Sequence, residues 1–251
     1  MIELKSITTG YGKHTVLDGV TATFEKGMVT GIIGVNGCGK STLLKAMLGL
    51  IPAEGNISLD GRNLKDMNRK EIARKVAYLS QGKTTPDMTV EQLVLHGRFP
   101  HLNYPRHYSK QDREIALAAM AQMSILDLAQ KPLGELSGGM RQNAYIAMAL
   151  AQDTDYILLD EPTTYLDISH QLGLMQVLRK LAGNGKGIVA VMHDLPMAFT
   201  YCDQILLLDG GKVLAQGTPQ EVCDHIEKVF GIKLENGLHY HYKYPQKESL
   251  D

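Results

Sequence analysis

A glycine-rich segment at residues 34–42 has the residue types of a phosphate-binding loop. It matches the pattern G-x-x-x-x-G-K-[S/T] in full. Glycines let the backbone curl, so that successive N–H groups point at phosphate oxygens near the positive end of the following helix. We expect Lys40 to reach the β- and γ-phosphates and the Ser41 hydroxyl to ligate Mg²⁺. The segment predicts a site for a nucleoside triphosphate, formed by Gly34, Asn36, Gly37, Cys38, Gly39, Lys40, Ser41 and Thr42.

Two adjacent carboxylates, Asp160 and Glu161, follow the apolar run of residues 156–159. An acid at the carboxyl end of a strand is placed to hold a Mg²⁺ shell, and the next residue is placed to polarise an attacking water. An ordinary strand followed by an acidic turn explains the same residues. Because the Lys40 loop requires a metal-holding acid, the pair predicts hydrolysis rather than binding alone.

A third segment, Ser137, Gly138 and Gly139, opens a helical pattern. Its hydroxyl, its free N–H groups and the helix dipole are suited to an anion. A plain helix N-cap is the alternative, since Ser and Gly are favoured there in any case. The chain therefore offers two helix ends that can bind phosphate.

An α/β framework is needed to position these side chains. Alternating residues in the first thirty positions predict short antiparallel strands. Apolar runs at 29–33, 57–59, 76–79, 156–159, 187–191 and 204–208 predict further strands, and the last three are typical of buried parallel sheets. Helical spacing at 41–50, 91–95, 111–123 and 138–151 predicts helices, so a helical block over about 89–151 is inserted into the α/β core.

The composition of the 251 residues limits the classes of function. Lys plus Arg number 26 against 27 Asp plus Glu, which excludes a strongly basic nucleic-acid-binding protein. Three cysteines without CxxC spacing favour a reducing compartment over a disulfide scaffold or a zinc site. No signal peptide and no uncharged apolar run of roughly 18 residues is present, so we expect a cytoplasmic protein that needs another chain to bring it to a membrane.

Taken together, residues 1–225 resemble the ATP-binding subunit of an ABC transporter. The turn at Ser137–Gly139 resembles the signature motif of that family, although Met140 and Asn143 replace a common Gln and a common Arg. The remaining matches are Gln81 for the Q-loop, Asp167 in Tyr165-Leu166-Asp167 for the D-loop, His193 for the switch histidine and Tyr11 for the aromatic that stacks on adenine.

The resemblance implies an α/β P-loop NTPase (RecA-like) core with an N-terminal antiparallel β-subdomain and an inserted α-helical subdomain. It implies a single domain, with residues 1–85 and 152–225 in the core, residues 86–151 in the helical signature subdomain and residues 226–251 in a C-terminal tail. In that tail, residues 239–244 alternate in a way that predicts an edge strand, with a metal or partner site as the alternative.

The resemblance also implies how the parts work. Two copies form a head-to-tail homodimer with ATP and Mg²⁺ between the Lys40 loop of one copy and Ser137–Gly139 of the other. Glu161 activates water and His193 contacts the γ-phosphate. Gln81 senses Mg²⁺, which Ser41 and Asp160 also hold, and Asp167 orients the opposite copy. Simpler interpretations remain open for three residues: a strand aromatic for Tyr11, a surface loop residue for Gln81 and a structural histidine for His193.

A narrower resemblance lies at residues 96–102, followed by Ser109 and Asp112. It is similar to the G-R-x-P-H segment of importers for ferric siderophores, haem and vitamin B12, within the helical block that faces the membrane subunit. A loop with a Pro turn is the alternative. A metal site at His96, His101 and His107 is disfavoured because no carboxylate or Cys completes a ligand set.

The leading hypothesis is therefore the ATPase of a metal-chelate importer, including related oxyanions such as molybdate. It would work at the cytoplasmic face of the membrane with a polytopic permease and, indirectly, a periplasmic or extracellular substrate-binding protein. The alternatives are an exporter subunit, a soluble ABC ATPase of translation or DNA maintenance, and a P-loop kinase. The last has no use for Ser137–Gly139, and one ATP site without a heptad run disfavours the soluble ATPase.

Overall fold

The N-terminal residues form an antiparallel sheet. The structure is a computed structural model that describes residues 1–81, 85–164, 166–235 and 239–242. Strands β1 (Ile2–Tyr11) and β2 (His14–Phe24) form a hairpin, and β1 also pairs with the strand that we number β4 (Glu54–Leu59), which pairs with β5 (Arg62–Asn63). The prediction of short strands here was wrong. The polar interruptions at Ser6 and Gly19 take positive φ at register shifts of the ladder, and such bulges bend a strand without ending it.

A second, six-stranded sheet forms the centre of the molecule. Its strands are β3 (Val29–Ile33), β6 (Val76–Leu79), β7 (Tyr156–Asp160), β8 (Gly187–Val191), β9 (Gln204–Asp209) and β10 (Lys212–Gly217), in the spatial order β10-β9-β3-β8-β7-β6. All are parallel except β10, which pairs antiparallel with β9. The carboxyl ends of five strands therefore meet at one edge, where open parallel sheets bind ligands.

Helices form most of the connections between the strands. They are α1 (Lys40–Met47), α2 (Arg69–Lys75), α3 (Val90–His96), α4 (Lys110–Gln122), α5 (Gly138–Ala151), α6 (Ile168–Gly183), α7 (Leu195–Tyr201) and α8 (Pro219–Phe230). Helices α3 to α5 lie between β6 and β7 in the chain, as the predicted helical block requires. Helix α1 is shorter than predicted because Gly49, which takes a φ of 59°, turns the chain away after Leu48.

The two faces of the central sheet pack against different layers. Odd and even positions of a strand point to opposite faces. In β3, Ile32 joins the cluster formed with the N-terminal sheet and α1, whereas Ile33 joins the cluster formed with α3 to α6. In β7, Leu158 likewise joins the first of these clusters and Leu159 the second. Strands β3, β7 and β8 are buried throughout, which explains their continuous apolar runs.

The chain ends, as far as the structure describes it, in a small hairpin. Strand β11 (Ile232–Glu235) pairs with β12 (His239–Tyr242) in a two-stranded sheet of its own, and α8 runs across the predicted boundary at residue 225. Residues 243 and 244 of the predicted edge strand, and Tyr165 of the D-loop match, lie outside the described residues. Over the described ranges, no helix is long and apolar enough to cross a membrane.

A buried ion pair fixes the start of α4. Arg98 Nε donates to Asp112 Oδ1 at 2.9 Å, and the two side chains are only 9% and 11% exposed. Burial disfavours the charged carboxylate, but hydrogen bonds from Ser109 and Arg98 outweigh it and lower the pKa of Asp112. Since the folded-state pKa is lowered, the stability that this pair contributes is present above the ordinary range of an aspartate and is lost as the pH falls through the lowered value.

Replacing Asp112 by Ala is expected to lower the free energy of unfolding by about 3–5 kcal/mol, because Arg98 is left as an unpaired buried charge. Urea unfolding followed by circular dichroism measures the change. Lys110→Ala is the matched control: its pair with Glu114 spans 3.8 Å with a lysine side chain that is 92% exposed, so that we expect a loss below about 0.5 kcal/mol. Equal losses in the two variants would contradict the structural role of the buried pair.

Candidate active site

The glycine-rich loop curls between the end of β3 and the start of α1. Gly34, Gly37 and Gly39 have φ of 153°, 81° and 107°, values that other residues rarely adopt. A Cβ on Gly34 would overlap the carbonyl of Leu208 in β9. Helix α1 begins at Lys40, so its first N–H groups have no intrahelical partner and remain free for an anion. The loop is therefore a backbone cradle that fits phosphate oxygens.

Lys40 lies across this loop. Its side chain is buried, and Nζ donates to the carbonyls of Gly34 at 2.8 Å and Val35 at 3.1 Å. An open cavity of about 450 Å³ adjoins it, lined by Val16, Asn36, Gly37, Gly39, Lys40, Ser41, Thr42, Gln81, Glu161 and His193. Most of the loop residues predicted to bind the nucleotide therefore share one cavity with the predicted catalytic residues.

Cys38 and Tyr11, which were predicted to bind the nucleotide, do not line this cavity. The Cys38 side chain is buried in the core, and burial raises the pKa of its thiol. Only its backbone is available to the loop, and its N–H donates to Val35. Tyr11 is half exposed at the end of β1, whereas Val16 of β2 lines the cavity. Sequence reasoning did not single out Val16, because an aliphatic residue in an alternating strand carries no chemical signal.

Gly34→Ala is expected to lower the affinity for ATP by at least about tenfold, since the added methyl group must push the loop away from Leu208 at a φ that alanine avoids. Titration with a fluorescent ATP analogue measures the affinity. Gly61→Ala is the matched control, because Gly61 lies between β4 and β5, outside the Lys40 loop, and at its φ of 81° a Cβ would meet open space, so that only backbone strain of about 1 kcal/mol remains. An affinity loss as large for Gly61→Ala would refute the steric argument.

Ser41 and Asp160 bring two oxygen donors together beside the loop. Ser41 Oγ donates to Asp160 Oδ1 at 2.9 Å, and Tyr78 Oη lies 3.5 Å from Asp160 Oδ2. Burial raises the pKa of Asp160, with the hydrogen bond from Ser41 opposing and the charge of Glu161 adding to the shift. A hydroxyl beside a carboxylate that burial makes costly to ionise fits a hard divalent cation, which would compensate the charge. Tyr78 was not predicted, since its position in β6 carries no signal in the sequence.

Glu161 contacts two other predicted catalytic residues, Gln81 and His193. Gln81 Nε2 donates to Glu161 Oε2 at 2.5 Å, and His193 Nε2 lies 2.5 Å from Glu161 Oε1. The carboxylate is 15% exposed and faces the cavity together with the histidine. Glu161 takes a φ of 52°, an uncommon value for a residue other than glycine, directly after the last residue of β7. The structure thus gathers Gln81, Glu161 and His193, which follow β6, β7 and β8.

The Ser137–Gly139 turn lies at the exposed end of α5 and does not line the Lys40 cavity. Ser137 Oγ accepts from the Met140 N–H at 3.3 Å and so caps the helix. A separate cavity of about 270 Å³ lies between this end of α5 and the carboxylates, with Gly138 on one side and Asp160 on the other. Within one chain the turn is therefore a helix cap, and it lies apart from the phosphate loop.

Asp167 has a similar local role at the start of α6. Its Oδ1 accepts from the backbone of His170 at 2.9 Å and from Ser169 Oγ at 2.9 Å. Hydrogen bonds from the backbone and the ring of His170, followed by that from Ser169, lower the pKa of Asp167 to about 2. This exposed carboxylate caps α6, and it is not one of the residues that line the Lys40 cavity.

The polar residues of the G-R-x-P-H segment point inward. Arg98 and Asp112 form the buried pair described above, and His101 Nε2 donates to the carbonyl of Gln152 at 2.8 Å. Among the described residues, no group of three or more His, Cys, Asp or Glu side chains is placed to hold a metal ion.

The chain is similar to known proteins over most of its length. Residues 17–164 match the ABC transporter family. The ferric enterobactin transport ATP-binding protein FepC of Escherichia coli (strain K12) is 44% identical, over 91% of this chain and 86% of that protein. The probable siderophore transport system ATP-binding protein YusV of Bacillus subtilis (strain 168) is 41% identical, over 93% of this chain and 87% of that protein.

Solved structures agree with the fold. A bacterial ABC transporter cassette solved as a dimer is 29% identical, with a TM-score of 0.77 over 87% of this chain and 99% of that one. The structure of another ATP-binding subunit of an ABC transporter is 28% identical, with a TM-score of 0.78. The phosphate loop, the carboxylates at the strand ends and these similarities lead to one conclusion: the chain belongs to the ABC transporter family and is one of its ATP-binding, ATP-hydrolysing proteins.

Proposed function

We propose that the chain is the ATPase subunit of an importer for ferric siderophores or related metal chelates, with Glu161 as general base. The observation that carries the catalytic part is the cluster in which Gln81 and His193 both contact the Glu161 carboxylate, at the mouth of the Lys40 loop. A carboxylate held at both oxygens beside a phosphate cradle is oriented to accept a proton from water.

The side chains around the loop have separate tasks in this proposal. Lys40 binds the β- and γ-phosphates, and His193 donates to the γ-phosphate. Ser41, Asp160 and Gln81 would hold Mg²⁺, which supplies neutralisation of phosphate charge when it is bound. Asp160 would contribute a carboxylate oxygen to that cation, whereas Glu161 would accept the proton of the attacking water.

The second half of the site comes, in this proposal, from another copy of the chain. Ser137 and Gly138 are exposed at the N-terminus of α5, where the first N–H groups of the helix fit an anion. In a head-to-tail homodimer they would add donors to the γ-phosphate in the partner's Lys40 loop, with Asp167 orienting the opposite copy. Closure of the dimer then completes the catalytic site, which couples ATP binding to movement.

A membrane permease would receive this movement at the cytoplasmic face of the membrane, and a substrate-binding protein would deliver the chelate to the permease. Support for iron chelates comes from the relatives named for ferric enterobactin, siderophore and iron(3+)-hydroxamate import. The chain is not expected to bind nucleic acid.

The partner can be identified by capture. Tagged Glu161→Gln protein, loaded with ATP and Mg²⁺, is incubated with detergent-solubilised host membranes, and the bound proteins are sequenced. We expect a polytopic permease. The permease is then reconstituted with the chain that retains Glu161, and stimulation of ATP hydrolysis is assayed with ferric catecholates, ferric hydroxamates, haem, cobalamin and molybdate. Recovery of ribosomes or nucleic-acid enzymes alone would refute the transporter assignment, and stimulation by molybdate alone would refute the iron chelate.

A further inference from the structure

The carboxyl end of α5 is held by side chains from a distant loop. Arg98 donates from Nη1 to the carbonyl of Ala151 at 3.0 Å, and His101 donates to the carbonyl of Gln152 at 2.8 Å. The last carbonyls of a helix have no intrahelical partner, so these two bonds satisfy groups that otherwise need water. Gly97 permits the close approach, because a Cβ there would overlap the carbonyl of Met148.

Gln152 extends this anchor to the central sheet. Its Nε2 donates to the carbonyl of Ala73 at 2.6 Å and to that of Val76 at 3.2 Å. Val76 is the first residue of β6, the strand that leads to Gln81. One half-buried side chain therefore joins the end of α5 both to α2 and to the strand that carries a residue of the catalytic cluster.

The opposite end of α5 adjoins the cavity near the carboxylates. There the cavity of about 270 Å³ separates the helix from Asp160 and Glu161. Across this space, Arg141 donates to Thr85 Oγ1 at 3.0 Å and Gln142 donates to the carbonyl of Pro162 at 2.8 Å. A helix of 14 residues is about 21 Å long, so a rotation of about 5° at the Gln152 end displaces the Ser137 end by about 2 Å.

We infer that Gln152 is a positioning residue for ATP hydrolysis: it fixes the end of α5 to the central sheet and thereby sets the direction in which Ser137–Gly139 face a second copy of the chain. The inference rests on the proposed homodimer site. Gln152 itself does not line the Lys40 cavity, and it contacts the first residue of β6, at the end of that strand opposite to Gln81. Its loss is therefore expected to impair the assembly of the composite site and to leave binding in the Lys40 loop intact.

The test uses Gln152→Met, which keeps the length of the side chain and removes the two donated hydrogen bonds. The variant is made in the full chain with and without Glu161→Gln. Gln176→Met is the matched control, because Gln176 is an exposed residue of α6. His101→Leu is the second variant, since it removes only the bond to the Gln152 carbonyl.

Three quantities are measured: affinity of the monomer for a fluorescent ATP analogue, ATP-dependent dimerisation in the Glu161→Gln background, and kcat and KM of the variants that retain Glu161. For Gln152→Met we expect dimerisation to need about tenfold more protein and kcat to fall about tenfold, the equivalent of one or two hydrogen bonds. Monomer affinity should stay within about twofold, a range that corresponds to less than half a kcal/mol. His101→Leu should weaken dimerisation and lower kcat by a smaller factor, and Gln176→Met should change neither.

Normal dimerisation and kcat in Gln152→Met would overturn the inference. A parallel loss of monomer affinity and of thermal stability would also overturn it, because the residue would then serve folding alone. If Gln152→Met does not fold, His101→Leu decides the question by the same measurements. Failure of Glu161→Gln alone to dimerise with ATP would instead refute the proposed composite site, which keeps the two failures distinguishable.

Discussion

Replacing Glu161 by Gln is expected to lower the rate of ATP hydrolysis by about 10²-fold or more while ATP still dimerises the chain. The amide keeps the volume of the side chain but cannot accept a proton from water. Its neighbours Gln81 and His193 remain, and the Lys40 loop is unchanged. Release of inorganic phosphate measures turnover, and size-exclusion chromatography with ATP and Mg²⁺ measures dimerisation.

Glu114→Gln is the matched control for this change. Glu114 is an exposed carboxylate on α4 whose nearest cation is 3.8 Å away, so its substitution should leave the rate of hydrolysis unchanged. A near-normal rate in Glu161→Gln would remove Glu161 as general base. Loss of ATP binding in the same variant would show instead that the carboxylate holds the nucleotide site together.

Replacing Ser137 by Arg is expected to abolish ATP-dependent dimerisation, and with it cooperative hydrolysis. A long cationic side chain at the exposed start of α5 would occupy the space that a second copy needs, and its charge would oppose the helix dipole. Loss of the N-cap adds about 1 kcal/mol of destabilisation, which is small against the expected loss of dimer. Sedimentation of the Glu161→Gln background with and without Ser137→Arg checks the result.

Ser137→Ala separates the cap from the steric effect. It loses the bond from the Met140 N–H without adding bulk, so dimerisation should weaken but persist. Monomer affinity for ATP should be the same in both variants, because Ser137 does not line the Lys40 cavity. Cooperative hydrolysis by Ser137→Arg at the normal rate would refute a site shared between two copies.

The sequence predicted the ends of a helix correctly where neighbouring residues mark those ends. Helix α5 spans residues 138–151 as predicted, because a Ser cap and a continuous helical pattern define both of its ends. Helix α1 was predicted to run to residue 50, since Met47 and Leu48 continue its helical spacing, whereas the backbone at Gly49 ends it. The N-terminal strands were predicted too short for the opposite reason: polar residues at bulges interrupt the pattern without interrupting the strand.

The amino-acid sequence by itself determined which chemical groups the site contains, because the glycines, Lys40, Ser41 and the two carboxylates must occur at fixed spacing for phosphate chemistry. Only the tertiary structure decided which of them meet. Gln81 and Glu161 are 80 residues apart, and they touch because β6 and β7 are neighbours in the sheet. The tertiary structure also places Arg98 and His101 against the end of α5, where both donate hydrogen bonds to backbone carbonyls. Strand order and burial depend on the packing of the whole chain, so no local pattern specifies them.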